Sequence, residues 1–355
     1  MGEEETTELK LKLVQELAKS GCGPSDRYTQ REEDRPISSC FLPSSSSFPQ
    51  VPIVNLHRLF NGDDDEAHKL GSAVQSWGLF QAIGHDLSPS FLDEVQDVSR
   101  KFFQLPLEVK QKYSNLKSGK FELEGYGNDH VATKEQIIDW NDRLYLLVQP
   151  EDKRKLEWWP ENPSSFREIL HEYTMKTRKI ADLILLALAK LLKLDENYFV
   201  NELGDEAEVF ARFTYYPSCS RPDLVFGIKP HSDSSVMTIL LLDEEVDGLQ
   251  VLKDGKWVKV PSIPHALLIN LGNQMEIMSN GIFKSPVHRV VANSKERISI
   301  AMFYSLEPEK ILEPSEHLVS ESRPSLYNKM TVKDFLIAFF EKFSHGVCTI
   351  EWLKV

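Results

Sequence analysis

His231 and Asp233 stand two apart in "KPHSDSSV" (229–236), just ahead of the apolar run "MTILLL". Along an extended chain, side chains i and i+2 share a face, so this imidazole and carboxylate converge on one small volume. That is how a metal is gripped, and also how an ordinary polar strand end looks. A third residue favours the metal. His288 opens another strand-like run in "SPVHRVVANSKERISIAMF". Two histidines and one carboxylate make the facial triad of non-haem iron(II) sites, which leaves three positions open for cosubstrate and oxygen. Zinc takes the same donor types, so the triad alone leaves both metals open.

Arg297 and Ser299 repeat the two-residue spacing, and alternation adds Ala301 and Phe303 to the same face. A guanidinium is a planar fork that matches a carboxylate, and a charge-assisted hydrogen bond of this kind contributes about 1.5–3 kcal/mol. The pair suits a dicarboxylate cosubstrate: one end chelates the metal and the far carboxylate meets Arg297 and Ser299.

These residues need a frame. From about residue 206 the pattern is of short strands, "VFARFTYYP", "SVMTILLL", "GLQVL", "KWVKV", "HALLINLG", "HRVVAN" and "RISIAMFYS", parted by turn-rich joints such as "DEEVDG" and "KDGK". Many short strands without an internal repeat predict a barrel or a double-sheet jelly roll. Ahead of them, helical spacing predicts helices over 7–19, near 66–76 and from about 88 to 105. A long helix opens on a Ser165/Glu168 capping box and runs to about Lys193. A strand is predicted at 77–84. The expected organisation is an N-terminal helix and Ser/Pro-rich connector (1–50), a mixed helical and strand region (51–200), a catalytic core (201–310) and a helical tail (311–355). Phe335, Phe339 and Phe343 of that tail form an apolar face that either covers the barrel mouth or packs beside it.

The 355 residues carry 41 basic and 54 acidic side chains, a formal charge of -13, with no basic block to track phosphates. Nucleic acid is therefore not an expected partner. The four cysteines, Cys22, Cys40, Cys219 and Cys348, are scattered and read as free thiols of a reducing compartment. The longest apolar stretch is too short to span a membrane, and no leader pattern opens the chain. A cytoplasmic monomer is expected. His57, His68, His85, His130, His171, His265, His317 and His345 read as structural or surface residues.

The combination "HSD", "HRVV" and "RISIAMF", together with "RFTYYPSC", "EGYGND", "VPIVNL" and "WGLFQAIGH", resembles the plant 2-oxoglutarate/Fe(II)-dependent dioxygenases. Within them it is most similar to the specialised-metabolism branch that includes codeine and thebaine O-demethylases and the senescence-related-gene-like proteins. The similarity runs from about Glu8 to the C-terminus. It implies a mainly β fold with flanking α-helices around a distorted double-stranded β-helix, or jelly roll, with His231, Asp233 and His288 on Fe(II). It also implies Arg297 and Ser299 on 2-oxoglutarate, with Tyr216 as a further cosubstrate contact and ascorbate as activator. Two positions depart from the family pattern: Thr214 replaces the Asn of Asn-Tyr-Tyr-Pro, and Asp86 replaces a Gly after the early strand. Phe303 matches a position that holds a ring against the organic substrate. Tyr126 and Trp140 are candidates for pocket lining or for packing between the two halves.

The implied reaction is oxidative decarboxylation of 2-oxoglutarate to succinate and CO2, with O2 oxidising a C–H bond of a small plant metabolite of alkaloid, phenylpropanoid or flavonoid type. Hydroxylation and O-demethylation differ only in which carbon is presented. The Asp233 carboxylate predicts oxygenation rather than halogenation. Three alternatives stand beside this: a hormone-making or hormone-inactivating enzyme of the same family, an oxidase of the same fold that does without 2-oxoglutarate, and a non-catalytic small-molecule binder.

Overall fold

Alternating apolar runs gain most when two sheets close face to face, and the strands here do so. The computed structural model describes residues 12–21, 23–36, 50–131, 133–344 and 350–355. The start of the 7–19 helix, most of the Ser/Pro connector, His345, Cys22, Cys40 and Cys348 lie outside the described residues.

The strands are β1 (Ile53–Asn55), β2 (Leu79–Ile83), β3 (Gly125–Gly127), β4 (Asp142–Gln149), β5 (Glu208–Tyr216), β6 (Phe226–His231) and β7 (Met237–Leu242). They continue with β8 (Leu249–Lys253), β9 (Lys256–Lys259), β10 (Leu267–Leu271), β11 (His288–Val291), β12 (Arg297–Ser305), β13 (Ile311–Leu312) and β14 (Met330–Thr331). The helices are α1 (Val14–Lys19), α2 (Leu56–Phe60), α3 (Asp64–Ser76), α4 (Pro89–Gln104), α5 (Leu107–Lys110), α6 (Phe166–Leu191), α7 (Tyr198–Leu203), α8 (Asn273–Met278) and α9 (Val332–Ser344).

Eight strands form one sheet in the order β1-β2-β10-β7-β12-β5-β4-β3, and four form the second, β6-β11-β8-β9. Residues of both sheets line one cavity between them. This is the jelly roll expected from the strand spacing, with helices on the outer face of the larger sheet. The segment 51–200 is not a separate layer, because its strands β1 to β4 occupy the two ends of the same sheet as the core strands.

The long helix α6 packs against α4, α3 and β7. Its buried side chains include Leu170, Tyr173, Ile180, Ile184 and Leu188. The capping box does not form. Ser165 has helical backbone angles (φ -82°, ψ -4°) and makes no side-chain bond to the first turn, whereas a cap needs an extended backbone to turn its hydroxyl back. Burial at about 1.5–3 kcal/mol per large apolar side chain outweighs a cap worth ~1 kcal/mol, so the helix is held by packing.

Asp142 of β4 takes over capping for α1: its Oδ1 and Oδ2 accept from the backbone N–H of Val14 and Gln15, each at 2.8 Å. Asp86 has φ +62°, the conformation a glycine adopts without cost, and its side chain is 86% exposed on the corner after β2. Among the described residues no helix is long and apolar enough to cross a membrane.

Candidate active site

His231 is the last residue of β6 and His288 the first of β11, and the two are direct cross-strand partners. Asp233 lies beyond the strand, in the joint that leads to β7. The two-residue spacing therefore converges across a strand end rather than along one strand face. Asp233 Oδ1 is 3.8 Å from His231 Nε2 and 3.6 Å from His288 Nε2. The joint is pinned where it passes Gly272, whose added Cβ would sit 1.9 Å from the Ser235 carbonyl oxygen.

Hydrogen bonds behind these groups fix their chemistry. His231 Nδ1 lies 2.8 Å from the Lys229 carbonyl and His288 Nδ1 lies 3.1 Å from that of Pro286. A carbonyl only accepts, so each Nδ1 carries a proton, the tautomer that in a neutral ring turns the Nε2 lone pair toward the shared space. Asp233 Oδ2 accepts from Thr238 Oγ1 at 2.8 Å and from Asn270 Nδ2 at 3.3 Å. Burial, with His288 close by, pushes the His231 imidazole well below its ordinary pKa against the pull of Asp233. Burial alone would raise Asp233, but His288, His231 and the two hydrogen bonds outweigh it and hold the carboxyl below its usual range. Neutral imidazoles and an ionised carboxylate are the state in which these groups bind a divalent metal. Their ligand atoms all lie within 4.8 Å of one another, and the donor set fits Fe(II).

Arg297 adds what the triad alone lacks, a place for an anionic cosubstrate. It opens β12 on the cavity wall, is 3% exposed, and its Nε and Nη1 have no hydrogen-bond partner. A buried cation with idle donors is costly unless an anion joins it. The Tyr216 ring lies 5.0 Å from the guanidinium, and the Tyr216 hydroxyl is 3.4 Å from Ser299 Oγ. Arg297 pairs with Tyr216 across β12 and β5, and Ser299 with Thr214. The Thr214 hydroxyl accepts from Arg212 Nε at 3.1 Å. This cradle fits the distal carboxylate of 2-oxoglutarate, with the triad facing the same cavity.

The cavity measures about 700 Å³. Phe303 lines it as expected, beside Tyr145, whose ring stacks on Phe210 at 5.1 Å. Phe339, Phe340 and Phe343 of α9 line it as well, so the tail covers the cavity rather than packing beside it. Tyr126 and Trp140 do not line it. The Tyr126 ring packs 5.6 Å from Phe102, on the helix side of β3. Trp140 meets Tyr28 edge to face at 5.2 Å and donates Nε1 to the Pro217 carbonyl. Both fill joints between the N-terminal elements and the barrel, which is the packing alternative.

Sequence reasoning missed Asp129, Arg143, Tyr145, Phe210 and Arg212 on the cavity wall. Phe210 and Arg212 were within reach, since they alternate with Thr214 and Tyr216 along β5. Arg143 and Tyr145 lie on β4, which the pattern did not reveal.

A family model described as the 2OG-Fe(II) oxygenase superfamily matches residues 207–306, and one described as the N-terminal region of non-haem dioxygenases in morphine synthesis matches 51–165. Jasmonate-induced oxygenase 2 of Arabidopsis thaliana is 36% identical over 91% of this chain and 87% of its own length. Codeine O-demethylase of Papaver somniferum is 34% identical over 98% of this chain and 97% of its own. The crystal structure of JOX2 in complex with 2OG, Fe and JA superposes with a TM-score of 0.84 at 35% identity, covering 92% of this chain and 93% of that one. A rice dioxygenase for auxin oxidation shares the fold, with a TM-score of 0.72 at 23% identity over 86% of this chain and 100% of its own.

Proposed function

This chain belongs to the 2OG-Fe(II) oxygenase superfamily and is an Fe(II)- and 2-oxoglutarate-dependent oxygenase, and from that premise we propose that it hydroxylates or O-demethylates a small, ring-bearing plant metabolite. The observation that carries this reading is the division of one cavity: a buried Arg297 with idle donors at one end, the triad, and an aromatic wall of Tyr145, Phe210, Phe303 and the α9 phenylalanines.

When bound, the metal would let O2 oxidise a C–H bond while 2-oxoglutarate is decarboxylated to succinate and CO2. The protein supplies placement. His231, Asp233 and His288 would hold the metal. Arg297 and Ser299 clamp the far carboxylate of the cosubstrate, and the Tyr216 ring holds the guanidinium plane in position. Phe303 and its aromatic neighbours orient the organic substrate by shape and keep water out. Asp233 keeps a carboxylate on the metal, in accord with oxygenation rather than halogenation.

A hormone-modifying role is the second reading, supported by the identity with relatives named jasmonate-induced oxygenases and by the likeness to the JOX2 structure, which contains JA. The test is succinate formation by the Fe(II)-loaded protein with 2-oxoglutarate and ascorbate on fractionated plant metabolites, with mass spectrometry of what changes. Succinate coupled to a gain of one oxygen or a loss of one methylene identifies the substrate and the outcome. Succinate that never exceeds the substrate-free background in any fraction overturns the reading.

A further inference from the structure

Away from Arg297, the wall of the cavity carries another guanidinium, Arg212, whose forked edge is already engaged. Arg212 donates Nη1 to Asp129 Oδ1 at 2.9 Å and Nη2 to Asp129 Oδ2 at 2.8 Å, a fork-to-fork pair. Its Nε goes to Thr214 Oγ1. Arg143 approaches the same carboxylate from the other side, with Nε 3.1 Å from Asp129 Oδ1 and Nη1 2.7 Å from the Leu123 carbonyl. The Arg212 backbone lies four residues before Tyr216 on β5, about 13 Å away at ~3.3 Å per residue, while its side chain reaches Thr214 beside the cosubstrate cradle. The three guanidiniums of the cavity thus differ in kind: Arg297 awaits an anion, whereas Arg212 and Arg143 share one the chain supplies, Asp129.

Asp129 also faces the cavity. Its side chain is 38% exposed, and it lines the cavity. Among the described residues Oδ1 accepts two hydrogen bonds and Oδ2 one, so Oδ2 has the greater acceptor capacity left. Asp139, on the same wall, is a second carboxylate, with Oδ1 accepting from the Lys229 backbone N–H at 3.0 Å. Lys229 is a further cation of this region beside Arg143 and Arg212, and its Nζ lies 5.0 Å from the Phe343 ring centroid. The cluster of Asp129 with Arg143 and Arg212 is net cationic, but its forked edge is taken: a substrate carboxylate would have to break the Asp129 pair to dock on Arg212. A hydroxyl or amine would find an acceptor in place.

We propose that Asp129 selects the substrate, admitting a neutral or cationic molecule that brings a hydroxyl or amine donor on an apolar frame and rejecting one that ends in a carboxylate. This rests on the oxygenase reading, names the substrate class for that site and sets the first reading against the hormone reading where the hormone is an acid.

The test uses calorimetric binding to the Fe(II)-loaded protein under anaerobic conditions, with excess 2-oxoglutarate so that Arg297 is occupied. The probes are 3-phenylpropan-1-ol, 3-phenylpropylamine and 3-phenylpropanoic acid. The wild type is expected to bind the alcohol and the amine at least tenfold more tightly than the acid. Asp129→Asn is expected to raise affinity for the acid at least tenfold and to weaken the amine. Equal or tighter binding of the acid by the wild type, or a preference that Asp129→Asn does not change, overturns the inference. So does failure of the wild type to bind either the alcohol or the amine. Lys229→Met is the control for that further cation: acid binding that this substitution abolishes overturns the role of Asp129. Should Asp129→Asn not fold, the wild-type preference and the Lys229→Met result decide. Calorimetry of 2-oxoglutarate on the same samples separates the two readings. Its failure to bind strikes the oxygenase reading, while normal binding with the wrong probe preference strikes only the selection by Asp129.

Discussion

The ring of Phe343 meets the ring of His231 nearly at right angles, with centroids 5.9 Å apart and planes at 82°. Helix α9 therefore touches a metal ligand. Phe339 stacks on Phe343 at 6.2 Å, which extends the roof along the cavity.

Removing that ring opens the roof without touching a ligand atom. Phe343→Ala is expected to raise the KM of the organic substrate about tenfold, in the range for losing part of an apolar pocket. It should also let 2-oxoglutarate be consumed without product. The measurement is the ratio of oxidised product to succinate, with metal content as control. A ratio equal to that of the wild type would mean that α9 only packs.

The metal depends on residues that never touch it. Thr238→Val keeps the volume of the side chain but removes its bond to Asp233 Oδ2. Loss of such a partner costs about 10–100-fold in metal affinity. Competition with a chelator should show a drop of that size, whereas His231→Ala and Asp233→Ala should lose the metal outright. An unchanged affinity in Thr238→Val would reduce Thr238 to an ordinary strand residue.

At the cosubstrate end, Arg297→Lys replaces a fork by a point charge on a shorter reach. Losing one charge-assisted bond costs about 1.5–3 kcal/mol, so the KM for 2-oxoglutarate should rise tenfold or more. The KM of the organic substrate should hold. Steady-state titration of each substrate separates the two effects, and an unmoved 2-oxoglutarate KM would make Arg297 structural.

The face of β12 was legible in the sequence because one strand carries it: Arg297, Ser299, Ala301 and Phe303 are set by a period of two and need no other element. His231 and Asp233 were found for a partly mistaken reason. The strand that ends at His231, "FGIKPH", contains Gly227 and Pro230 and does not look like a strand. Proline is tolerated there because β6 is the edge of its sheet. β4 was hidden for a different reason. Its buried Asp142 and Arg143 break the apolar pattern, and they are tolerated only because Val14, Gln15 and Asp129, distant in sequence, satisfy them. The amphipathic face of α9 was visible, but what it faced depended on where the barrel placed its open end.

Asp142 also gives the fold a pH dependence of known sign. Burial is the main cause that pushes its carboxyl up from 3.8 to about 6, against the pull of the Gln15 and Val14 N–H groups, Lys110 and Asn128. A carboxyl with a raised pKa binds its proton more tightly in the folded chain. Its contribution to stability is therefore present below about pH 4 and is lost as pH rises through about 6. A rise of this size corresponds to ~2–3 kcal/mol. Asp142→Asn cannot ionise and lacks this dependence, while effects of other groups cancel when the two proteins are compared at one pH. The Tm of the wild type minus that of the variant should be larger at pH 4.5 than at pH 7.5. Protease cleavage within α1 should report the same trend locally, because the Val14 and Gln15 N–H groups are the ones Asp142 caps. A difference that stays constant or grows with pH would mean that Asp142 ionises in the folded protein as freely as in water, and that the α1 cap works with its charge rather than against it.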